Sequence, residues 1–191
     1  MPASTIHDWP LPYDTALAER PLDAIDLVVI HCTELPDLAT AREYGERVLY
    51  DDGTGNSGHY YIDRSGATYC FVGEHRMAHH TRGFNPRSIG IELINTGRYP
   101  DWLDSRHQDM HEPYPPAQID SLAALLDTLR DSLPSLALIA GHEDLDTTLV
   151  PASNDAAVAV LRKRDPGPLF PWDDILVRCR LERLQPAPNQ K

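Results

Sequence analysis

The chain has 191 residues, of which 41% are hydrophobic and 24% charged, and a formal net charge of −12 at pH 7. That length fits one domain able to bury a core without disulfide help, and the composition excludes wholesale disorder. The acidic balance excludes a nucleic-acid partner, whose phosphates need a basic face, and general attraction to an anionic membrane.

No apolar run approaches the roughly 20 residues needed to span a bilayer. Met1–Pro12 lacks the basic and apolar regions of a secretory signal, so a cytoplasmic protein is the expectation. Cys32, Cys70 and Cys179 cannot all pair within one chain, and none sits in a C-x-x-C pattern. Neither a disulfide framework nor an all-cysteine metal site is therefore expected. Nine histidines are the first hint of a metal.

Residues 1–24 carry scattered prolines and little periodicity, and read as an extension lying on the surface. Ile25–Ile30 is a continuous, β-branched apolar run, the pattern of a buried strand, and it leads directly into His31. Residues 39–50 have helix-forming composition, broken by Asp51–Asn56. Runs at 59–62 and 68–72 flank Asp63-Arg64-Ser65-Gly66 and predict a hairpin. Residues 88–94 predict a strand carrying one acid, Glu92. Over 118–133, Ile119, Leu122, Leu126, Leu129 and Leu133 fall at steps of three and four, forming one apolar helix face that Pro134 ends. A short strand at 136–140 delivers His142. Asn154 reads as the N-cap of a short helix over 154–164. A closing helix over 172–184 follows Pro171, and a proline-rich tail occupies 186–191. Strands alternating with helices predict a single α/β domain over 25–185, a central mixed sheet flanked by helices. Functional groups are expected at its strand ends, where a rigid scaffold positions the loops.

Three residues stand out chemically: His31 and His142 at strand ends, and Asp165 before Pro166. Two neutral imidazoles and a carboxylate, with water in the fourth position, make a usual catalytic zinc site. Pro166 restricts Asp165 to an extended conformation. On spacing alone the alternative stays open, because a strand-end histidine is more often a satisfied structural residue. His107 and His111 have the i, i+4 spacing of a helical metal grip, but Pro113, Pro115 and Pro116 crowd them and a surface loop is expected. Cys32 reads as a small buried residue rather than a nucleophile.

Longer motifs then narrow the choice. Val28-Val29-Ile30-His31-Cys32-Thr33 is followed by Ser57-Gly58-His59-Tyr60-Tyr61-Ile62-Asp63-Arg64-Ser65-Gly66. Ala78-His79-His80, Asn85, Ser88-Ile89-Gly90-Ile91-Glu92-Leu93, Gly141-His142 and Arg162–Trp172 come next, in that order. Over residues 25–172 these blocks resemble the zinc-dependent N-acetylmuramoyl-L-alanine amidases, the family of phage lysozyme-type amidases and peptidoglycan recognition proteins. The last block is most similar to the cytosolic anhydro-muropeptide amidases of cell-wall recycling.

The resemblance implies an enzyme that hydrolyses the lactyl amide between (anhydro-)muramic acid and L-alanine in peptidoglycan fragments. It implies Zn²⁺ held by His31, His142 and Asp165, with Glu92 as general acid–base and Lys163 as oxyanion stabiliser. In phage-type members a tyrosine precedes the equivalent of His59. Here Gly58 stands there, so the tyrosine's role is expected to pass to Glu92. His59 is expected to pack beside the centre and orient it. His80, Arg82, Cys32 and Asn95 stand where substrate contacts are expected, with a local structural hydrogen bond as the alternative for His80, and Arg82, Arg87 and Arg98 are either solvated charges or a clamp for stem-peptide carboxylates. The connection between His142 and Lys163 is longer than in the recycling enzymes. Residues 144–160 therefore read as an insertion beside the site, a tolerated loop or a rim element. The alternatives are an amidase acting on intact peptidoglycan and a non-catalytic peptidoglycan-binding module.

Overall fold

A seven-stranded mixed sheet organises residues 5–184, the part of the chain that the computed structural model describes. In chain order its strands are β1 (Ile6–Asp8), β2 (Leu27–Cys32), β3 (Tyr60–Ile62), β4 (Thr68–Cys70), β5 (Ser88–Leu93) and β6 (Leu138–Gly141). A separate hairpin of β7 (Leu149–Pro151) and β8 (Ala159–Leu161) follows, and β9 (Glu182–Arg183) completes the sheet. The helices are α1 (Leu38–Gly45), α2 (Pro116–Ser132), α3 (His142–Leu145) and α4 (Trp172–Cys179).

The spatial order is β1-β4-β3-β5-β2-β6-β9. β3 and β4 pair antiparallel, as the predicted hairpin requires, and the other neighbours run parallel. β2 lies between β5 and β6 with all six of its residues buried. A strand covered on both faces needs apolar side chains on both, which is why its sequence does not alternate. On one face, Ile119, Leu122, Leu126 and Leu129 of α2 and Ile175 of α4 pack with Val28, Ile30, Ile89 and Ile91. On the other, Leu11, Leu17, Ala41, Tyr61 and Phe71 form a second cluster. Among the described residues no helix is long and apolar enough to cross a membrane.

Four local expectations are corrected. Residues 5–24 are not a surface extension: β1 adds to the sheet edge, and Leu11, Tyr13, Leu17 and Arg20 are buried. Their apolar residues anchor an irregular segment, so no periodic signal marks them. The helix predicted at 39–50 ends at Gly45, a poor helix residue. The helix predicted at 154–164 is instead the β7–β8 hairpin, turned at Asp155, whose carbonyl and carboxylate accept from Val158 and Ala157. The closing helix stops at Cys179 because Arg180 turns left-handed (φ 56°), which frees Glu182–Arg183 to pair with β6. The tail at 186–191 lies outside the described residues.

Candidate metal centre

Strand register sets the geometry. His31 of β2 pairs with Glu92 of β5, and Ile30 pairs with Gly141, the last residue of β6, so His142 emerges beside His31. Three neighbouring parallel strands thus end at one edge, where α/β folds commonly place their ligands. That edge opens into a groove of about 840 Å³ lined by His31, Glu92, His142, Lys163 and Asp165 among others.

One carboxylate oxygen draws the two imidazoles together. Asp165 Oδ2 lies 2.9 Å from His31 Nδ1 and 3.1 Å from His142 Nδ1, and one donor atom from each residue fits within 4.8 Å of the others. All three side chains are buried. The second oxygen, Asp165 Oδ1, is buried with no hydrogen-bond partner. A buried carboxylate oxygen left unpaired is costly, and a cation held by two imidazoles and this carboxylate would remove that cost. The donor set fits a divalent metal such as zinc. Burial pushes the His31 imidazole down to about 4, favouring the neutral form that a metal requires. Burial alone would raise the Asp165 carboxyl, but His142 and His31 hold it well below the usual range.

Asp165 reaches the centre on a braced turn. Its carbonyl accepts from the Glu143 amide at 2.9 Å, the next carbonyl, of Pro166, accepts from Tyr114 Oη at 2.7 Å, and the Asp165–Pro166 peptide is cis. Glu92 Oε1 lies 4.0 Å from His31 Nδ1. Burial and the neighbouring Asp165 raise its carboxyl to about 8, and the Lys163 cation opposes that rise. The space Glu92 occupies exists because residue 58 is glycine. A Cβ there would stand 2.7 Å from Glu92 Cγ and 3.1 Å from the Gly90 carbonyl oxygen. Glycine at position 58 and the inward position of Glu92 are thus two sides of one steric choice.

His80 lies directly behind His31, and His59 lies behind His80. His31 Nε2 lies 3.0 Å from His80 Nδ1, and His80 Nε2 lies 3.2 Å from Ser88 Oγ, which donates to the Phe84 carbonyl at 2.8 Å. An imidazole that ligates through Nδ1 carries its proton on Nε2, so this chain of contacts orients His31 in the way outer partners orient metal-bound histidines. His80 thus braces His31, with both ring nitrogens engaged, although its ring still forms part of the groove wall. His59 is fully buried one layer further back. Its Nδ1 accepts from the Gly90 amide at 3.0 Å, and Arg20 and the Arg76 carbonyl flank Nε2. It reaches the centre only through ring contact with His80, at 5.5 Å between centroids.

Of the expected substrate contacts, Asn95 is engaged internally and Cys32 is buried at the groove wall. Asn95 is 1% exposed; its amide nitrogen donates to the Glu112 carbonyl and its oxygen accepts from the Gly97 amide. Cys32 is buried against Tyr114, and burial together with Glu34 raises its thiol well above the ordinary value, which removes it as a nucleophile. Arg87 is paired with Asp26 and half-exposed, while Arg98 is buried against Glu34 and is not a solvated charge. Arg82 is exposed on the groove rim. His107 and His111 lie in an irregular segment, where His107 contacts Asp101. Sequence reasoning missed Thr81, whose Oγ1 lies 3.0 Å from His80 Nδ1 and 3.3 Å from His31 Nε2, and the parts played by Ser88, Tyr114 and Glu34. Each acts through tertiary contacts that no local pattern announces.

Comparison with known proteins agrees with this geometry. Residues 21–168 match the N-acetylmuramoyl-L-alanine amidase family, Amidase_2. The N-acetylmuramoyl-L-alanine amidase AmiD of Escherichia coli (strain K12) is 36% identical over 91 residues, covering 48% of this chain and 27% of that protein. The match therefore spans about a quarter of that relative's length. The solved complex of E. coli AmiD with the substrate anhydro-N-acetylmuramic acid-L-Ala-D-gamma-Glu-L-Lys is 25% identical, with a TM-score of 0.59 over 84% of this chain and 59% of that one. The endolysin amidase LysCS of Clostridium intestinale URNW shares the fold at 20% identity, with a TM-score of 0.62 over 95% of this chain and 98% of that one. The chain belongs to the N-acetylmuramoyl-L-alanine amidase family.

Proposed function

We propose that this chain is a zinc-dependent N-acetylmuramoyl-L-alanine amidase that cleaves the lactyl amide of soluble anhydro-muropeptides in cell-wall recycling. The observation that carries the proposal is the convergence of His31, His142 and Asp165 at the floor of an open groove, with one carboxylate oxygen unpartnered. His31, His142 and Asp165 would hold the zinc, which would supply Lewis-acid polarisation and lower the pKa of a bound water to about 7. The remaining chemistry belongs to the chain. Glu92, beside His31, takes the proton of the attacking water and returns it to the departing alanine nitrogen. Lys163, in the groove wall, stabilises the developing oxyanion; losing one such donor typically costs about 2.7–4 kcal/mol. Arg82, exposed on the rim, is available to stem-peptide carboxylates.

The substrate of the E. coli AmiD complex supports the muropeptide class. Three free cysteines suit a reducing cytoplasm. The test is metal analysis joined to amide cleavage on defined muropeptides. Activity that is lost with a chelator, restored by zinc and nearly abolished in a zinc-loaded Glu92→Ala variant supports the reading. Zinc binding without cleavage would point to a recognition module, and cleavage confined to purified sacculi to a lytic role. Full turnover by Glu92→Ala would remove Glu92 from the chemistry.

A further inference from the structure

The segment that carries Lys163 leaves the β7–β8 hairpin, outside the main sheet, so its position needs a separate restraint. Arg98 supplies one. It is 2% exposed, and its guanidinium forks onto the Glu34 carboxylate, with Nε 2.6 Å from Oε1 and Nη2 2.8 Å from Oε2. The outer edge of the fork donates to the carbonyls of Leu161 at 2.9 Å and Arg162 at 3.4 Å, the two residues directly before Lys163. It also donates to Gln108 Oε1 at 3.2 Å.

The partners of Arg98 are themselves held. Glu34 adopts a left-handed backbone (φ 49°), and its carbonyl accepts from Trp102 Nε1 at 3.1 Å. Gly97 also has positive φ (53°), and a Cβ there would fall 2.6 Å from Glu34 Cγ, so only glycine lets the chain pass so close. The hairpin tip docks on the same loop: the Ser153 amide donates to the Leu103 carbonyl, and Asn154 contacts Ser105. A buried ion pair contributes little net stability compared with well-packed apolar residues. What this one supplies is a fixed geometry, because a planar fork matches a carboxylate bidentately while its remaining N–H groups reach other acceptors.

We propose that Arg98 is a positioning residue that holds the Leu161–Arg162 backbone, and through it sets where Lys163 enters the groove. This rests on the amidase reading and on the oxyanion role of Lys163. The hairpin is then a built wall of the site, tied down at its root by Arg98 and at its tip by the 102–105 loop.

The test is a double-mutant cycle on the zinc-loaded full chain with a defined muropeptide. Arg98→Lys keeps the charge that Glu34 needs but loses the fork. It should lower kcat about 10- to 100-fold, the scale of an ångström-sized misplacement, with KM and zinc content unchanged. In a Lys163→Ala background the same substitution should cost less than about twofold, because residues acting as one unit do not add. Backbone hydrogen exchange should rise at 161–164 and stay unchanged in β2 and β5. Full additivity in the cycle, or undiminished kcat in folded Arg98→Lys, would overturn the proposal. Should Arg98→Lys not fold, Glu34→Gln takes its place in the cycle, and additivity or undiminished kcat there overturns the proposal equally. A wild-type protein inactive on every muropeptide would instead reject the amidase reading, while its hydrogen exchange would still report on the Arg98 restraint.

Discussion

Gly58→Ala tests whether the room made for Glu92 matters. The backbone of Gly58 does not require positive φ, so alanine meets no conformational bar there. The conflict is one of contact: the added Cβ would lie 2.7 Å from Glu92 Cγ and 3.1 Å from the Gly90 oxygen. Carbon atoms pack at about 3.5–4.0 Å, so something must retreat by roughly 1 Å. The Gly90 carbonyl is held in β5 and accepts from the His59 amide at 2.8 Å, which leaves the Glu92 side chain to move. A displacement of that size costs about 100-fold in kcat, equivalent to about 2.7 kcal/mol at the transition state. Overpacking itself costs about 1–3 kcal/mol of stability, or roughly 2–12 °C in Tm for a chain of this length. The assay is steady-state hydrolysis of a defined muropeptide with zinc content measured in parallel. Zinc should stay bound, and in a Glu92→Ala background the extra methyl should cost no further activity. Folded, zinc-loaded Gly58→Ala with wild-type kcat would refute the steric argument.

Leu126→Ala removes a fully buried side chain from the α2–sheet interface. It should cost about 2–5 kcal/mol, read by urea unfolding, and a loss below about 1 kcal/mol would mean the core collapses around the gap. Arg87→Ala breaks a half-exposed pair with Asp26, so stability should change by less than about 1 kcal/mol and KM for muropeptide should not move. A raised KM would return Arg87 to the substrate site. Burial, with Glu74 nearby, raises the Cys70 thiol to about 12. At pH 8 its alkylation, followed by peptide mass spectrometry, should run roughly 1,000-fold slower than that of a free thiol near 8.5. Rapid labelling there would show that the thiol is more open to solvent than its half-buried position allows.

The sheet was legible in the sequence wherever a buried strand needs continuous apolar residues, as at Leu27–Ile30 and Ile89–Leu93. The α2 face was legible because its leucines repeat at helical steps. The hairpin at 149–161 was not. Its strands are three residues each, and the alanines between them carry helix propensity that tertiary pairing overrides. Leu11, Tyr13 and Leu17 were hidden for a related reason, since buried residues in an irregular segment leave no period to detect. At the centre, His31, His142 and Asp165 could be named from motif order, but the part His80 plays could not. His80 gains it from tertiary packing: its ring lies over Gly90, where a Cβ would stand 2.6 Å from its Cγ, with one nitrogen against His31 and the other against Ser88.

The pairing of His31 with Glu92 across β2 and β5 has an architectural consequence. The two side chains hang from a backbone ladder whose spacing no loop can stretch, so strand pairing alone fixes the distance between their backbones. Asp165 and Lys163 lack that protection, since they arrive on a connection rather than on a rung. That connection is held by local contacts instead: Arg98 donates to its Leu161 carbonyl and Tyr114 to its Pro166 carbonyl.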